Sequence, residues 1–388
     1  MPTSIRLPAA DGAAFVHTPG QPGSFERPVR PLTSRRAFAA VHVVADPLAE
    51  NTPVSGAALD WEATLAFRRH LWSWGLAVAE AMDTAQRGMG LDWPTTRELI
   101  VRSLAEARAE GGDIACGANT DQLPDGPADI DEVVRAYLEQ IELIEGNGGQ
   151  AVVMASRHLA QAATGPDDYA RAYGMILDQV GRPVIIHWLG EMFDPALAGY
   201  WGSSDLGEAS DLFLAILGAN AAKIDGVKIS LLEKEHELYL RHRLPAGLHM
   251  YTGDDFNYPE MIRGDDTAFS DAFLGAFDVI APAASAALQA LDDGRVEEFE
   301  KVLEPTVPLS RHVFSAPTFY YKTGVVFMAY LNGHQDHFRM VNGLESSRSV
   351  VHLSRQFVHA DQAGLLVDPE VATSRMAAVL AVAGFSQG

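Results

Sequence analysis

The sequence predicts an α/β protein built as a (β/α)₈ TIM barrel, with a C-terminal helical layer and a short N-terminal extension. Eight short apolar runs, mostly separated by helical patterns, have near-continuous hydrophobicity, which is typical of parallel strands buried on both faces. Eight such units match the barrel architecture. A doubly wound open sheet would normally have a Gly-rich phosphate turn after an early strand, and the sequence has none. The predicted strands are 38–44, 76–81, 113–116, 151–155, 184–188, 227–229, 248–251 and 279–281.

The pattern divides the chain into three regions. Residues 1–35 are rich in proline and glycine and are expected to form an arm on the main body. Residues 36–285 are expected to form the barrel. Residues 286–388 contain no further strand signal, and we expect them to form a helical extension packed on the barrel, with helices at 286–303, 320–331, 346–357 and 369–382.

Composition limits the possible partners and the compartment. The formal net charge of −22 argues against nucleic acid and anionic membrane surfaces, because both require a basic face. Cys116 is the single cysteine, so no intrachain disulfide can form and a reducing compartment is expected. The sequence shows neither an apolar stretch of membrane-spanning length nor the layout of a signal peptide. We therefore expect a cytoplasmic protein that acts on a small molecule.

Lys228 is the most informative residue. The chain has only five lysines, and this one lies inside a short apolar run with β-branched neighbours. Burial of an ammonium group lowers its pKa, and the uncharged amine can then attack a carbonyl carbon to form a Schiff base. The structural alternative is a lysine whose stem lies along the core while its head reaches the barrel rim or an ion pair.

Polar residues follow the predicted strands at the end where TIM barrels carry their chemistry. A ring of acids, bases and arginines there favours an enzyme over a structural barrel. Each member also has a structural interpretation: a histidine bonded inside the core, an aspartate that caps a helix, or an arginine paired with a neighbouring carboxylate. The candidates are Asp83, Thr84, Arg87, Asn119, Arg157, His158, His187, Trp188 and Asp254, in addition to Lys228.

The order of these motifs resembles the dihydrodipicolinate synthase / N-acetylneuraminate lyase superfamily of class I aldolases, as a divergent bacterial branch. The resemblance runs from about Arg36 to the C-terminus. Its best marker is 226–230, Gly-Val-Lys-Ile-Ser, similar to the family segment on strand six that bears the Schiff-base lysine. Residues 251–255, Tyr-Thr-Gly-Asp-Asp, are similar to a marker on strand seven, and 183–187 align with strand five.

Two departures leave the substrate open. Family members have a proton-relaying tyrosine at the end of strand five, and this chain has His187 there. The family loop after strand two carries paired threonines that hold the carboxylate of pyruvate, whereas this loop reads Met-Asp-Thr-Ala-Gln-Arg at 82–87. The lysine chemistry is therefore implied by the resemblance more firmly than the substrate.

The resulting hypothesis is a Schiff-base lyase or aldolase, or a related dehydratase, that acts on a small keto acid or keto-sugar. Lys228 would attack the carbonyl, and His187 would move protons, since its reference pKa suits neutral pH. Arg157 or Arg87 could hold a carboxylate. Thr84, His158 and Trp188 complete the predicted substrate-binding set with Asp83, Asn119 and Asp254. No cofactor is expected beyond the covalent Schiff base, and the resemblance implies a homo-oligomer, a dimer or tetramer.

Two alternatives remain open from the residues alone. One is a metal-dependent isomerase or class II aldolase, since ligand types follow several strands, although without compact ligand spacing. The other is a barrel that has lost catalysis and binds a sugar-like ligand. The possible metal ligands are Glu80, Asp83, His158, His187, Glu191 and Asp254.

Overall fold

Eight parallel strands close into a barrel, as the sequence predicts. The computed structural model describes residues 3–387, so the first two residues of the predicted arm and the last residue of the predicted C-terminal extension lie outside the described residues. Each barrel strand pairs with its neighbours in the chain, and the last pairs with the first. The barrel strands are β3 (Ala37–Ala40), β4 (Ala77–Glu80), β5 (Ile114–Ala118), β6 (Gln150–Val153), β7 (Val184–Leu189), β8 (Ile224–Ser230), β9 (His249–Thr252) and β10 (Asp271–Leu274); before them come β1 (Ile5–Pro8) and β2 (Ala14–His17).

One predicted strand is wrong. The apolar run at 279–281 joins two helices, and the eighth barrel strand is β10, which pairs with both β9 and β3. An apolar run of this length does not distinguish a buried strand from a buried helix by periodicity. Ile280 and Ala281 are buried, but in the helical layer around the barrel.

Helices cover the outside of the barrel and form the C-terminal layer. Many begin at aspartates whose carboxylates accept backbone N–H groups, as at Asp60, Asp92, Asp129 and Asp205, which satisfies the free donors of the first turn. The helices are α1 (Trp61–Ser73), α2 (Trp93–Glu110), α3 (Ile130–Gly146), α4 (Arg157–Ala162), α5 (Pro166–Gln179), α6 (Leu206–Asn220), α7 (Lys234–Arg241), α8 (Tyr258–Arg263), α9 (Ala276–Val279), α10 (Ala281–Asp292), α11 (Val296–Leu303), α12 (Val307–Val313), α13 (Tyr321–Leu331), α14 (Val350–Gln362) and α15 (Pro369–Val382).

Aromatic side chains fill the N-terminal end of the barrel. Phe38 stacks on Phe273 with 5.1 Å between ring centroids, and Tyr251 meets Phe38 edge to face at 5.9 Å. The Tyr251 hydroxyl donates to Asp225 at 2.8 Å and accepts from Arg36 at 3.0 Å. Packed rings therefore fill the barrel interior near this end.

A buried ion pair joins the first helix to the barrel wall. Arg68 donates from Nε and Nη2 to both carboxylate oxygens of Glu80, at 2.8 and 2.9 Å, and from Nη1 to the carbonyl of His42 at 2.6 Å. Both side chains are fully buried. Removal of one partner would leave an uncompensated charge in the protein interior, which is costly. The pair therefore fixes α1 against β4.

The N-terminal segment attaches to the C-terminal layer. Strands β1 and β2 form an antiparallel hairpin, and His17 Nε2 lies 2.9 Å from the carboxylate of Asp361 in α14. Further along, the backbone N–H groups of Thr33 and Ser34 donate to Asp292 at the end of α10. Among the described residues, the helices are too short or too polar to cross a bilayer.

We expect Glu237, on α7, to make stability depend on pH. It is buried and accepts hydrogen bonds from Thr252 and Ser270, and burial raises its pKa to about 7. Its stabilising contribution is therefore present below the ordinary glutamate pKa and is lost as the pH rises through about 7. Thermal unfolding of Glu237→Gln at pH 5 to 8 should show a Tm above wild type by roughly 2–5 °C at pH 8, with a smaller difference at pH 5.

The matched control is Glu235→Gln, because that carboxylate is exposed on the same helix. It should leave the pH dependence of Tm unchanged. A Tm difference for Glu237→Gln that is the same at pH 5 and pH 8 would contradict the assignment.

Candidate active site

Lys228 lies in β8 and points into the barrel, directly opposite His187 of β7 and Tyr251 of β9 in the strand register. It is 4% exposed, and its Nζ lies 4.6 Å from the centroid of the Phe273 ring. Within residues 3–387, Nζ makes no hydrogen bond and no ion pair. Burial lowers the pKa of this amine, and the negative charges of Asp83 and Asp255 offset part of that effect. Lys228 therefore has the environment of a nucleophilic amine.

Gly253 leaves the space that the lysine side chain occupies. A Cβ atom at this position would lie 3.1 Å from Lys228 Cε and 2.8 Å from the carbonyl oxygen of Ile229. It would also collide with Ser230 Oγ. Any larger residue would displace the lysine, which gives a physical reason for glycine in the 251–255 segment.

Two carboxyl groups approach Lys228 from different strands. Asp83 lies in the turn after β4, and Asp255 follows β9. Asp255 accepts a hydrogen bond from the N–H of Ala276 through Oδ1 at 2.8 Å, while burial raises its pKa to about 8. The raised pKa favours the protonated carboxyl group, which can supply a proton in this site.

Tyr321 is a member of this site that the sequence did not indicate. It begins α13 in the C-terminal layer, and its hydroxyl donates to Asp83 Oδ2 at 2.8 Å and lies 2.7 Å from Thr84 Oγ1. Its ring stacks on Phe314 at 4.4 Å and meets Phe193 edge to face at 5.8 Å. Burial and the charge of Asp83 raise its pKa well above the usual tyrosine range, so the hydroxyl keeps its proton.

Lys322 brings a second buried amine to the same carboxylate. Its Nζ donates to the carbonyl of Phe319 at 3.2 Å and lies 3.6 Å from Asp83 Oδ2. Burial lowers its pKa, and Asp83 offsets part of that effect. The only sequence signal for this arrangement is a polar Tyr-Lys pair at the start of a helix that is otherwise apolar.

His187 lies next to Lys228 but is enclosed. Its Nε2 lies 3.0 Å from Ser230 Oγ, and Nδ1 is buried with no partner among the described residues. Burial, and then the neighbouring charge of Lys228, hold its pKa well below the usual histidine range. The imidazole is therefore neutral and orients Ser230 beside the lysine.

Arg87 is a correction to the predicted substrate-binding set. Its Nε and Nη2 pair with Asp121, Nη1 donates to the carbonyls of Ala81 and Gly117, and Nη2 also donates to Gln140. All five guanidinium N–H donors are thus used within the protein. Arg87 holds the turn that presents Asp83 and Thr84, a turn that begins with Ala81 in the left-handed region at φ 53°.

Trp188 is a second correction. It is adjacent to His187 in β7, so it points to the opposite face of the strand, away from the barrel axis. Its ring packs against Trp201 at 6.0 Å, Phe213 at 5.2 Å and His236 at 5.6 Å. These contacts place it in the layer between the barrel and the helices.

Asp254 is a third correction. Its carboxylate accepts the backbone N–H groups of Phe256 and Asn257 at 2.9 and 3.1 Å, and the Asn257 side-chain amide at 2.8 Å. Asp254 therefore fixes the turn before α8, which was the structural alternative. The neighbouring Asp255 is the residue whose charge acts on Lys228.

The remaining predicted residues lie further out on the rim. Arg157 donates from Nε to Asp194 at 2.6 Å and is 41% exposed. His158 Nδ1 lies 3.0 Å from the hydroxyl of Thr120, and Asn119 Oδ1 accepts the N–H of Thr120 at 2.8 Å. Of the predicted set, Asp83 and Thr84 contact Tyr321 in this site, and the charge of Arg157 acts on Lys322. Asn119 and His158 bond to Thr120 instead.

The possible metal ligands do not converge. Glu80 is bound to Arg68, and Asp254 is bound to its own turn. Over residues 3–387, no three His, Cys, Asp or Glu side chains meet in an arrangement that could hold a metal ion.

Comparison with protein families decides the affiliation of the chain. The model of a family described as "Protein of unknown function (DUF993)" matches residues 5–385. The chain belongs to this DUF993 family. A search of curated proteins found no match.

Solved structures show the same fold for this DUF993 member. Dihydrodipicolinate synthase from Aquifex aeolicus superposes with a TM-score of 0.60 at 14% identity, over 91% of this chain and 99% of that one. The enzyme from Bacteroides thetaiotaomicron gives 0.61 at 13% identity, over 80% and 93%. The 4-hydroxy-tetrahydrodipicolinate synthase from Methylacidiphilum fumariolicum gives 0.60 at 13%, over 86% and 99%. The resemblance stated from the motifs is confirmed, at the level of the fold.

We expect Lys228 to react as an amine of lowered pKa. Competitive labelling with acetic anhydride across pH 6–11, read for each lysine by mass spectrometry, should give Lys228 a midpoint below the ordinary value of 10.5. The Asp83→Asn variant should lower that midpoint further, since the carboxylate favours the charged amine.

The exposed Lys301 provides an internal reference in every sample. A midpoint for Lys228 at or above 10.5, or an upward shift in Asp83→Asn, would show that the amine is not desolvated as described.

Proposed function

We propose that this protein is a Schiff-base-forming lyase or aldolase, or a related dehydratase, that acts on a small keto acid or keto-sugar through Lys228. The observation that carries this proposal is a buried lysine inside the barrel that has no hydrogen bond or ion pair within residues 3–387 and on which the charges of two carboxyl groups act. The likeness in fold to dihydrodipicolinate synthases supports it. Fold alone does not assign activity, so the argument depends on the groups around Nζ.

The first step joins the amine to the substrate. The lone pair of Nζ attacks the carbonyl carbon, and one amine proton passes to the carbonyl oxygen, which gives a carbinolamine. Protonation of its hydroxyl expels water and leaves an iminium ion. Asp255 supplies this proton, because burial raises its pKa and so favours the protonated carboxyl group. The products are an iminium cation and an Asp255 carboxylate, so the charge formed on nitrogen is neutralised by the group that donated the proton.

The second step uses the iminium as an electron sink. Cleavage or deprotonation next to it sends an electron pair to nitrogen, and a proton must move at the same time. The Asp255 carboxylate left by the first step accepts the proton that is removed next to the iminium, which gives an enamine. Tyr321, whose hydroxyl is hydrogen-bonded to Asp83 and Thr84, then gives its proton to the enamine carbon. The water that hydrolyses the resulting iminium releases the product and returns a proton to Tyr321. When Tyr321 acts as an acid, its hydrogen bond to Asp83 fixes the orientation of the hydroxyl.

This assignment replaces His187 as the predicted acid/base group. The Nε2 atom of His187 is occupied by Ser230, and Nδ1 is enclosed in protein. A substrate atom cannot reach either nitrogen without displacing core side chains. His187 is therefore proposed as a positioning residue for Ser230, and Tyr321 takes the role that the resemblance gives to a tyrosine on strand five.

Borohydride trapping tests the proposed function. Wild-type protein incubated with each member of a panel of keto acids and keto-sugars, then reduced with borohydride, should gain the mass of one reduced adduct for at least one compound. The adduct should map to Lys228 and be absent from Lys228→Ala, since the amine of Lys322 is held by the carbonyl of Phe319 and by Asp83. Intact-mass and peptide spectrometry provide the readout.

The matched control is Lys234→Ala, which removes a partly exposed lysine that is paired with Glu260. It should retain the full adduct. Adduct formation that persists in Lys228→Ala would overturn the assignment. Compounds of the panel that bind and raise the Tm without forming any adduct would favour the non-catalytic barrel.

A further inference from the structure

A cavity lies outside the barrel, away from Lys228 and the residues around it. Its volume is about 320 Å³, which is within the range of small-molecule sites. Helix α1, residues 22–27 of the N-terminal arm, the start of α10, the end of α13 and residues 364–367 surround it. Neither Lys228 nor Tyr321 is among the residues that line it.

Aromatic rings form one wall of this cavity. Phe67 and His70, from α1, have ring centroids 5.4 Å apart, and Phe67 meets His334 edge to face at 5.0 Å. The two imidazoles lie 4.2 Å apart, and Trp74 continues the wall beyond His70. The other lining residues are mostly apolar and include Val279, Pro282, Met328 and Leu365, while the one lining carboxylate, Asp278, is bound to the backbone N–H and the ring of His42. A flat ring fits between such surfaces better than a flexible chain, because ring edges and faces pack favourably on aromatic side chains.

The two imidazoles have unused hydrogen-bonding capacity. Neither the His70 ring nor the His334 ring bonds to another group in the part of the chain that the structure describes. Burial lowers their pKa values to about 3 and about 4, so both rings are neutral at neutral pH. Each therefore offers one N–H donor to a ligand in the cavity.

Arg27 provides a positive charge at the edge of the cavity. Its guanidinium lies 5.6 Å from the centroid of the Trp74 ring, and it makes no ion pair with any described residue. The chain has 51 acidic and 29 basic side chains, so acidic partners are plentiful. An arginine held on an aromatic wall without a carboxylate partner is available to a carboxylate from outside.

We propose that this cavity is a binding site for a small aromatic carboxylate of one or two rings. The ring lies against Phe67, Trp74 and the imidazole pair, while the carboxylate accepts from Arg27. The site is separate from the proposed Schiff-base chemistry, and its existence does not depend on that function.

Titration calorimetry and tryptophan fluorescence of the full chain test this proposal. The probes are benzoate and indole-3-carboxylate, with benzamide as an uncharged match and cyclohexanecarboxylate as a match without aromaticity. We expect saturable binding and a change in Trp74 fluorescence with the aromatic carboxylates, and weaker binding of both matched compounds. Arg27→Gln should reduce the affinity for the carboxylates about fivefold, the loss of roughly one exposed charge contact, and leave benzamide unaffected.

Ala329→Phe provides a second, independent variant, because Ala329 lines the cavity and a phenyl ring there would fill it. It should abolish binding of every probe, with folding checked by circular dichroism. Arg6→Gln is the control, since Arg6 also rests on an aromatic ring, Phe385 at 5.2 Å, but elsewhere on the surface.

Three outcomes would overturn the proposal. The first is no saturable binding by wild type up to about 10 mM of any aromatic carboxylate, which corresponds to negligible affinity. The second is unchanged affinity in Arg27→Gln. The third is binding that is lost in Lys228→Ala, because it would place the ligand in the barrel mouth.

Discussion

The desolvation of Lys228 is the constraint on which the rest of the site depends. Packed aromatic residues fill the barrel interior near its N-terminal end and shield Lys228 from water on that side. The centroid of the Phe273 ring lies 4.6 Å from the Nζ atom of Lys228. A charged ammonium is costly in this environment unless it is paired, and the structure leaves it without a close partner. Burial also raises the pKa of Asp255, so the site combines an amine of lowered proton affinity with an acid whose protonated form is favoured. This pair is suited to the condensation of an amine with a carbonyl.

The C-terminal layer completes this site. Helix α13 is buried along its whole length and begins with Tyr321 and Lys322, which both engage Asp83. Asp83 is presented by a strained turn that Arg87 holds together. The barrel therefore supplies the nucleophile and the carboxyl groups, and the added helices supply the hydroxyl that is proposed to move protons. The resembled family has its proton-relaying tyrosine on strand five, whereas the tyrosine proposed for this role here comes from helix α13.

The sequence predicted the barrel and the lysine, because these depend on local periodicity and on a rare residue type. Of the later helices, it merged α10 and α11 into one helix at 286–303 and placed α14 at 346–357 rather than at Val350–Gln362. Helix α15 begins and ends where the pattern placed it. The orientation of Trp188 was not predictable, since a strand that is buried on both faces has no alternation to show which side faces the axis. The choice between Asp254 and Asp255 depends on turn geometry, and the role of Tyr321 depends on a contact across 237 residues of chain. Neither of these two features can be inferred from the local sequence pattern.

The most direct test of the account is deuterium exchange at the carbon next to the carbonyl. Proton NMR in D₂O would follow a keto acid or keto-sugar that traps on the enzyme, with wild type, Lys228→Ala and Tyr321→Phe compared at equal concentration. We expect exchange with wild type, none above background with Lys228→Ala, and slow exchange with Tyr321→Phe, although that variant still forms the trapped adduct. Exchange at the wild-type rate in Lys228→Ala would contradict the central claim.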